Sequence, residues 1–218
     1  MLAAALDRRE QLHVLAIGCH PDDIEIGCGG TILDLIERRP DLELTWLVLS
    51  ADGSRANEAQ ASARGFLDGL DAPPQIFVES FRDGFFPYEG AAVKERFEEL
   101  KAQVSPDVIF THAGSDRHQD HRLACELTWN TFRDQLILEY EIPKWDGDLG
   151  HPNFYVPLTG ATVQRKVDVL LSAFATQQAK PWFDEATFRG LLRLRGIECR
   201  AAEGYAEAFH ARKLGIRS

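Results

Sequence analysis

Leu12-His13-Val14-Leu15-Ala16-Ile17-Gly18-Cys19-His20-Pro21-Asp22-Asp23 decides how this chain is read, because a nearly unbroken apolar run ends abruptly in a His, a Pro and two acids. A short run rich in Leu, Val, Ala and Ile fits a strand buried on both faces, as the strands of parallel sheets are. The polar residues then fall just past its C-terminal end, the edge at which open α/β sheets bind ligands. A second segment repeats the arrangement: Val108-Ile109-Phe110 leads on to His118-Gln119-Asp120-His121.

Outward from these two segments the chain alternates strand and helix patterns without repeats or low-complexity linkers, the signature of an α/β sheet. Strands are expected over 12–19, 42–49, 75–79 and from Pro106 toward His112. Gly29-Gly30 is expected to open a helix ending before Pro40, with further helices over 56–70 and 91–104. Ser115 or Asp116 would cap a helix over 117–132, putting His118 and His121 in its first turns. Beyond Asp134, residues 136–142 and 153–158 read as strands joined across turn residues, an excursion or hairpin. Helices follow, one with Val163, Val167, Leu170 and Phe174 on one face, the last over 185–195 with Gly196 ending it. The expected fold is Rossmann-like α/β, a mostly parallel sheet with flanking helices and a C-terminal hairpin and helix extension. It forms one domain over 1–218, with a core of about 10–134 and an extension of about 135–218 that is too short to fold alone.

Spacing suits the two polar segments to holding a metal. Pro21 fixes a bend that lets His20 and Asp23 converge, and His118 and His121, three apart, share a helix face. Zinc on His20, Asp23 and His121 keeps a coordination position open for water, whose pKa it lowers to about 7. Asp22 is then free to take the water's proton. His118 is placed to stabilise a carbonyl oxygen or protonate a departing amine, with Asp120 orienting it. Two His and one carboxylate also suit Fe(II). Taken singly, an Asp-Asp pair after Pro is a solvated turn and a His in a first helical turn is a surface residue. The complete set at two strand ends outweighs those readings. His112, at the end of its strand, reads as a core His or as support for the site.

Composition narrows the partners. Hydrophobic residues make up 44% and charged residues 27%, as in an ordinary globular protein. A net charge of -10 leaves no basic excess to neutralise phosphates, so nucleic acid and anionic membranes are disfavoured. The start has no basic residues ahead of a long apolar stretch, and no run is long enough to span a bilayer, so a cytoplasmic protein is expected. Cys19, Cys28, Cys125 and Cys199 lack CxxC spacing and read as free thiols. Gly27-Cys28-Gly29-Gly30 lacks the GxGxxG spacing and the P-loop Lys of a nucleotide site.

Cys19-His20-Pro21-Asp22-Asp23 followed by Ile26-Gly27-Cys28-Gly29-Gly30-Thr31, together with His118-Gln119-Asp120-His121 after a strand, resembles the LmbE/PIG-L family of zinc-dependent N-acetylglucosaminyl deacetylases. The resemblance reaches from about residue 12 to 132, and family members commonly carry Ala where this chain has Cys19. It implies zinc ligands His20, Asp23 and His121, general base Asp22, and His118 as the electrostatic or acid group. Weaker agreement at Ser54-Arg55 and at Asp83-Gly84 suggests substrate contacts for Arg55 and Asp83, beside an equal case for a structural ion pair. The implied activity is removal of an acetyl group from an N-acetylated amino sugar or its conjugate, a small-molecule substrate; self-association as a homo-oligomer stays open. The alternatives are a metal-dependent amidase acting on a non-sugar amide and a non-catalytic sugar-nucleotide-binding module, which would have no need of Asp22.

Overall fold

A computed structural model describes residues 11–215. Seven strands form one sheet: β1 (His13–Gly18), β2 (Glu43–Val48), β3 (Gln75–Val78), β4 (Val108–His112), β5 (Leu136–Tyr140), β6 (Phe154–Leu158) and β7 (Tyr205–His210), in the order β3-β2-β1-β4-β5-β7-β6. The pairs from β3 to β5 are parallel, and β7 runs antiparallel to both of its neighbours. Among the described residues, six α-helices accompany them, besides two single-turn 3-10 helices: α1 (Asp23–Arg38), α2 (Gly53–Leu67), α3 (Gly90–Gln103), α4 (Gln119–Thr131), α5 (Gly160–Ala173) and α6 (Glu185–Cys199).

Period-2 alternation along the strands builds a core on each face of the sheet. Val14 and Ala16 of β1 join Trp46, Phe110, Leu138 and the apolar sides of α1, α2 and α5. Leu15 and Ile17, pointing the other way, meet Leu47, Ile109, Phe97 of α3 and Ala124 of α4. Sheet order reverses direction between β1 and β4, which are adjacent although two strands intervene in sequence. That is the switch point at which the loops leaving two neighbouring strands diverge to opposite faces and open a crevice. Both polar segments sit there.

Four expectations are corrected. The last helix does not stop at Gly196 but runs on to Cys199, where Arg200 in the left-handed region caps it. Helix α1 begins at Asp23, not at Gly29, and runs straight through Gly27-Cys28-Gly29-Gly30. Each internal Gly costs about 1 kcal/mol of helix propensity, but a Cβ at Gly27 would lie 2.1 Å from the Tyr140 ring, and one at Gly29 2.6 Å from Phe66. Close packing of the helix on its neighbours overrides propensity. The helix expected from Arg117 begins at Gln119, with His118 rather than Ser115 or Asp116 as its N-cap: His118 Nδ1 accepts from the Asp120 amide. Finally, β5 and β6 form no hairpin, because β7 lies between them. Residues 205–210 place a carboxylate, Glu207, inside a strand buried on both faces, and this hides the strand from a reading based on apolar runs. Pro157, which has no amide to donate, falls on β6, an edge strand.

Candidate metal centre

His20 and Asp22 follow β1 in a tight turn whose geometry is costly. Asp22 has φ 93°, in the left-handed region, a conformation that costs a non-Gly residue on the order of 1–3 kcal/mol and is found where surrounding structure enforces it. The turn is closed by the Asp23 amide donating to the His20 carbonyl, while the His20 amide donates to Asp23 Oδ2 at 2.7 Å. From β4, the chain turns at Asp116 and delivers His118 to the cap and His121 to the first turn of α4.

Three atoms from these two segments form a nearly equilateral triangle. His20 Nδ1 lies 3.3 Å from His121 Nε2 and 3.4 Å from Asp23 Oδ2, and His121 Nε2 lies 3.5 Å from Asp23 Oδ2. Tetrahedral zinc, with ligands at about 2.0–2.1 Å, has ligand–ligand edges of about 3.3–3.4 Å. The donor set therefore fits one small divalent cation in both chemistry and spacing. Two further groupings overlap it: Cys19, Asp23, His112 and His121, and His20, Asp83, His118 and Asp120. Burial raises the Cys19 thiol well above its usual pKa, and neighbouring carboxylates add to this, so it is a poor anionic donor there.

The second nitrogen of each His in the triangle faces carboxylates, the usual way a metal-binding imidazole is fixed in tautomer and orientation. His20 Nε2 lies 3.0 Å from Asp83 Oδ1 and 3.3 Å from Asp120 Oδ2. His121 Nδ1 lies 2.9 Å from Asp116 Oδ2. Burial alone would lower the His20 pKa, but its hydrogen bonds to Asp120, Asp23 and Asp83 outweigh that and hold it well above the usual value. Burial likewise works against ionisation of Asp116, yet the His121 hydrogen bond and neighbouring cationic groups keep its carboxyl below the usual range. At His121, burial and the nearby His112 win, and the pKa falls to about 4, leaving a neutral ring with a lone pair to offer.

Asp22 is 4% exposed and lies outside the triangle. Burial, followed by the charges of Asp23 and Glu25, pushes its pKa well above the usual carboxylate value, which makes it a stronger base than a surface Asp. The expectation that Asp120 orients His118 through its side chain is corrected. Its carboxylate accepts from the amides of Gly84 at 2.6 Å and Phe86 at 3.1 Å and faces His20, whereas only its backbone amide reaches His118. Fully buried on α4, Asp120 thus pins the loop after β3 and brings Asp83 to the site. Arg55 lies with its Nη1 3.5 Å from Asp83 Oδ2. Both residues line a cavity of about 380 Å³ with Ser50, Asp52, Ser80 and Arg82, of a size that takes a small ligand.

Two residues with a part here escaped the sequence reading. Asp116 was legible only as a cap, and its reach back from the turn to His121 has no sequence signature. Lys144, in the segment between β5 and β6, bonds that same Asp116. His112 stands between its two readings: Nε2 lies 3.2 Å from Asp23 Oδ2, and the ring is stacked on His121 with 3.8 Å between centroids. None of the described helices is long and apolar enough to cross a membrane.

Comparison with known proteins gives the family. Residues 15–132 match the family described as GlcNAc-PI de-N-acetylase, PIG-L. The chain is 29% identical over 139 residues to the uncharacterized deacetylase YaiS of Escherichia coli (strain K12), covering 60% of this chain and 74% of that one. Among solved structures it is similar to N,N'-diacetylchitobiose deacetylase from Pyrococcus horikoshii (TM-score 0.63, 21% identity, 91% of this chain and 83% of that one). It is also similar to GalB, the 4-carboxy-2-hydroxymuconate hydratase of Pseudomonas putida KT2440 (TM-score 0.73, 14% identity, 95% and 98%). At such identities the structures speak for the fold alone, and that one fold is carried by both a deacetylase and a hydratase. The family match spans more than half of the chain and takes in both polar segments: the chain belongs to the PIG-L family of de-N-acetylases and is a hydrolase that acts on amide bonds.

Proposed function

We propose that this protein is a zinc-dependent deacetylase of an N-acetylated amino sugar or its conjugate, with His20, Asp23 and His121 as ligands. The observation that carries the reading is the triangle of ligand atoms, 3.3–3.5 Å on a side. Bound there, zinc supplies a Lewis acid that lowers the pKa of a water to about 7. Asp22, buried and unusually basic, takes a proton from the water that attacks the acetyl carbonyl carbon. Because His118 Nδ1 already accepts from the Asp120 amide, its Nε2 is the nitrogen left to donate, first toward the carbonyl oxygen as negative charge builds there and then toward the departing amine. Water and amide become acetate and a free amine. Arg55 and Asp83, on the wall of the adjoining cavity, contact sugar hydroxyls.

The test is acetate release by zinc-loaded protein from a panel of N-acetylglucosamine, its glycosides and its sugar nucleotides, with non-sugar acetamides beside them. Release confined to the sugars is expected. Turnover of the non-sugar amides alone would replace this substrate class with a general amidase, and no release from any member, with metal bound, would refute the deacetylase reading.

A further inference from the structure

The segment between β5 and β6 leaves the sheet, yet it is tied down at two places. At its base, Glu141 accepts from the Gly150 amide at 2.8 Å and from Arg195 at 2.9 and 3.0 Å, and Arg195 also donates to the Gly150 carbonyl. The stem of the loop is thereby closed around a buried ion pair. Near its tip, Lys144 Nζ lies 2.6 Å from Asp148 Oδ2 and 3.0 Å from Asp116 Oδ1. All three side chains are nearly dry, at 9%, 6% and 3% exposed.

We propose that Lys144 is a positioning residue of the metal centre, acting through the Asp116 carboxylate on His121 and on the backbone of His118. This rests on His121 being a ligand, as proposed above. Asp116 is shared three ways: Oδ2 faces His121 Nδ1 at 2.9 Å, while Oδ1 accepts from the His118 amide at 2.7 Å and from Lys144. Asp148 takes the Arg117 amide at 2.7 Å with the oxygen that also takes Lys144. One ammonium therefore stitches residues 144–148 to residues 116–118, the turn that delivers both histidines. Arg122 is close, but donates to the backbone carbonyls of Asp116 and Arg117 rather than to the carboxylate.

The consequence follows from electrostatics in a dry setting. Without Lys144, the carboxylates of Asp116 and Asp148 would be left close together with no cation between them, and such a pair relaxes by moving apart. That movement loosens the Asp116–His121 hydrogen bond, which holds the imidazole with Nδ1 toward Asp116 and Nε2 turned toward the other ligands. Loss of such a supporting partner typically costs 10- to 100-fold in metal affinity or activity.

The experiment titrates cobalt(II) into wild type, Lys144→Met, Lys144→Gln and Lys144→Arg, reading the cobalt visible spectrum and the dissociation constant by chelator competition. Urea unfolding of each metal-free protein is measured alongside. Lys144→Met and Lys144→Gln are expected to bind cobalt about 10- to 100-fold more weakly with an altered spectrum. Lys144→Arg, which keeps the charge, is expected to restore most of the affinity. A merely structural role would shift the urea midpoint and leave the spectrum alone. Wild-type affinity and spectrum in either neutral variant that folds would overturn the inference. Acetate release by wild type, measured in parallel, separates the claims: cobalt binding that depends on Lys144 without any deacetylation refutes the proposed function and leaves this inference standing.

Discussion

Replacing Glu207 tests how the first helix of the site is held. Glu207 of β7 and Lys166 of α5 form an ion pair at 2.6 Å, each side chain 2% exposed. Lys166 also donates to the Ile26 carbonyl at 2.6 Å, and Glu207 accepts from the Gly30 and Thr31 amides at 2.7 and 2.6 Å. Ile26 and Gly30 stand four apart on α1, so the pair bridges a carbonyl and an amide of the same helical turn. That turn stands just behind the end carrying Asp22 and Asp23. Glu207→Gln removes the charge, strands a buried ammonium, and turns a side-chain NH₂ toward a backbone donor. Removing one partner of a buried pair costs about 3–5 kcal/mol. Lys166→Met strands the carboxylate instead and should cost a similar amount. The double variant strands neither charge, so its loss should fall below the sum of the singles by about 2 kcal/mol, within the range of coupling measured for contacting residues. Urea unfolding followed by circular dichroism, with all four proteins free of metal, completes the cycle. Additivity within about 0.5 kcal/mol would show that the two side chains do not act as a unit, and a loss under about 1 kcal/mol in Glu207→Gln would remove the argument from burial altogether.

Other outcomes follow from the site itself. Asp23→Ala and His121→Ala should each fold without binding zinc, checked by metal analysis and circular dichroism; full metal retention in both would dissolve the ligand triangle. Asp22→Asn should keep its metal and lose roughly 10²- to 10⁴-fold in hydrolysis, the usual scale for a general base, so near-normal turnover would assign the proton to another group. His118→Ala should also keep the metal and lower kcat by about 10²- to 10³-fold, as when one oxyanion donor is removed; loss of metal instead would make His118 a ligand. Gly27→Ala sets a helix-propensity gain of about 1 kcal/mol against a Cβ 2.1 Å from the buried Tyr140 ring, where overpacking costs about 1–3 kcal/mol. Its Tm should fall, and a rise would mean that Tyr140 has room to withdraw while its hydroxyl still reaches the Ile17 carbonyl at 2.6 Å.

What could be read from sequence divides along the range of the interactions concerned. Strands β1, β2, β4 and β5 show themselves because residues buried on both faces must be apolar in runs. The polar residues at the ends of β1 and β4 show themselves because the chain places them next to those runs. His20, Asp22, Asp23, His118 and His121 are legible for that reason, although nothing local fixes which nitrogen of each ring turns toward the proposed metal position. The rest depends on partners distant in sequence. β7 carries a buried Glu207 that only Lys166 and two amides of α1 make tolerable. Gly27 and Gly29 look like the entry to a helix until Tyr140 and Phe66 are seen pressing on its middle turns. Asp120 looks like a partner for its neighbour His118, but a carboxylate on the first turn of α4 finds two free amides across the gap, at Gly84 and Phe86, and takes those. That choice has a functional result: the loop so held presents Asp83 to His20 Nε2, and His20 Nδ1 is left to complete the triangle with Asp23 and His121.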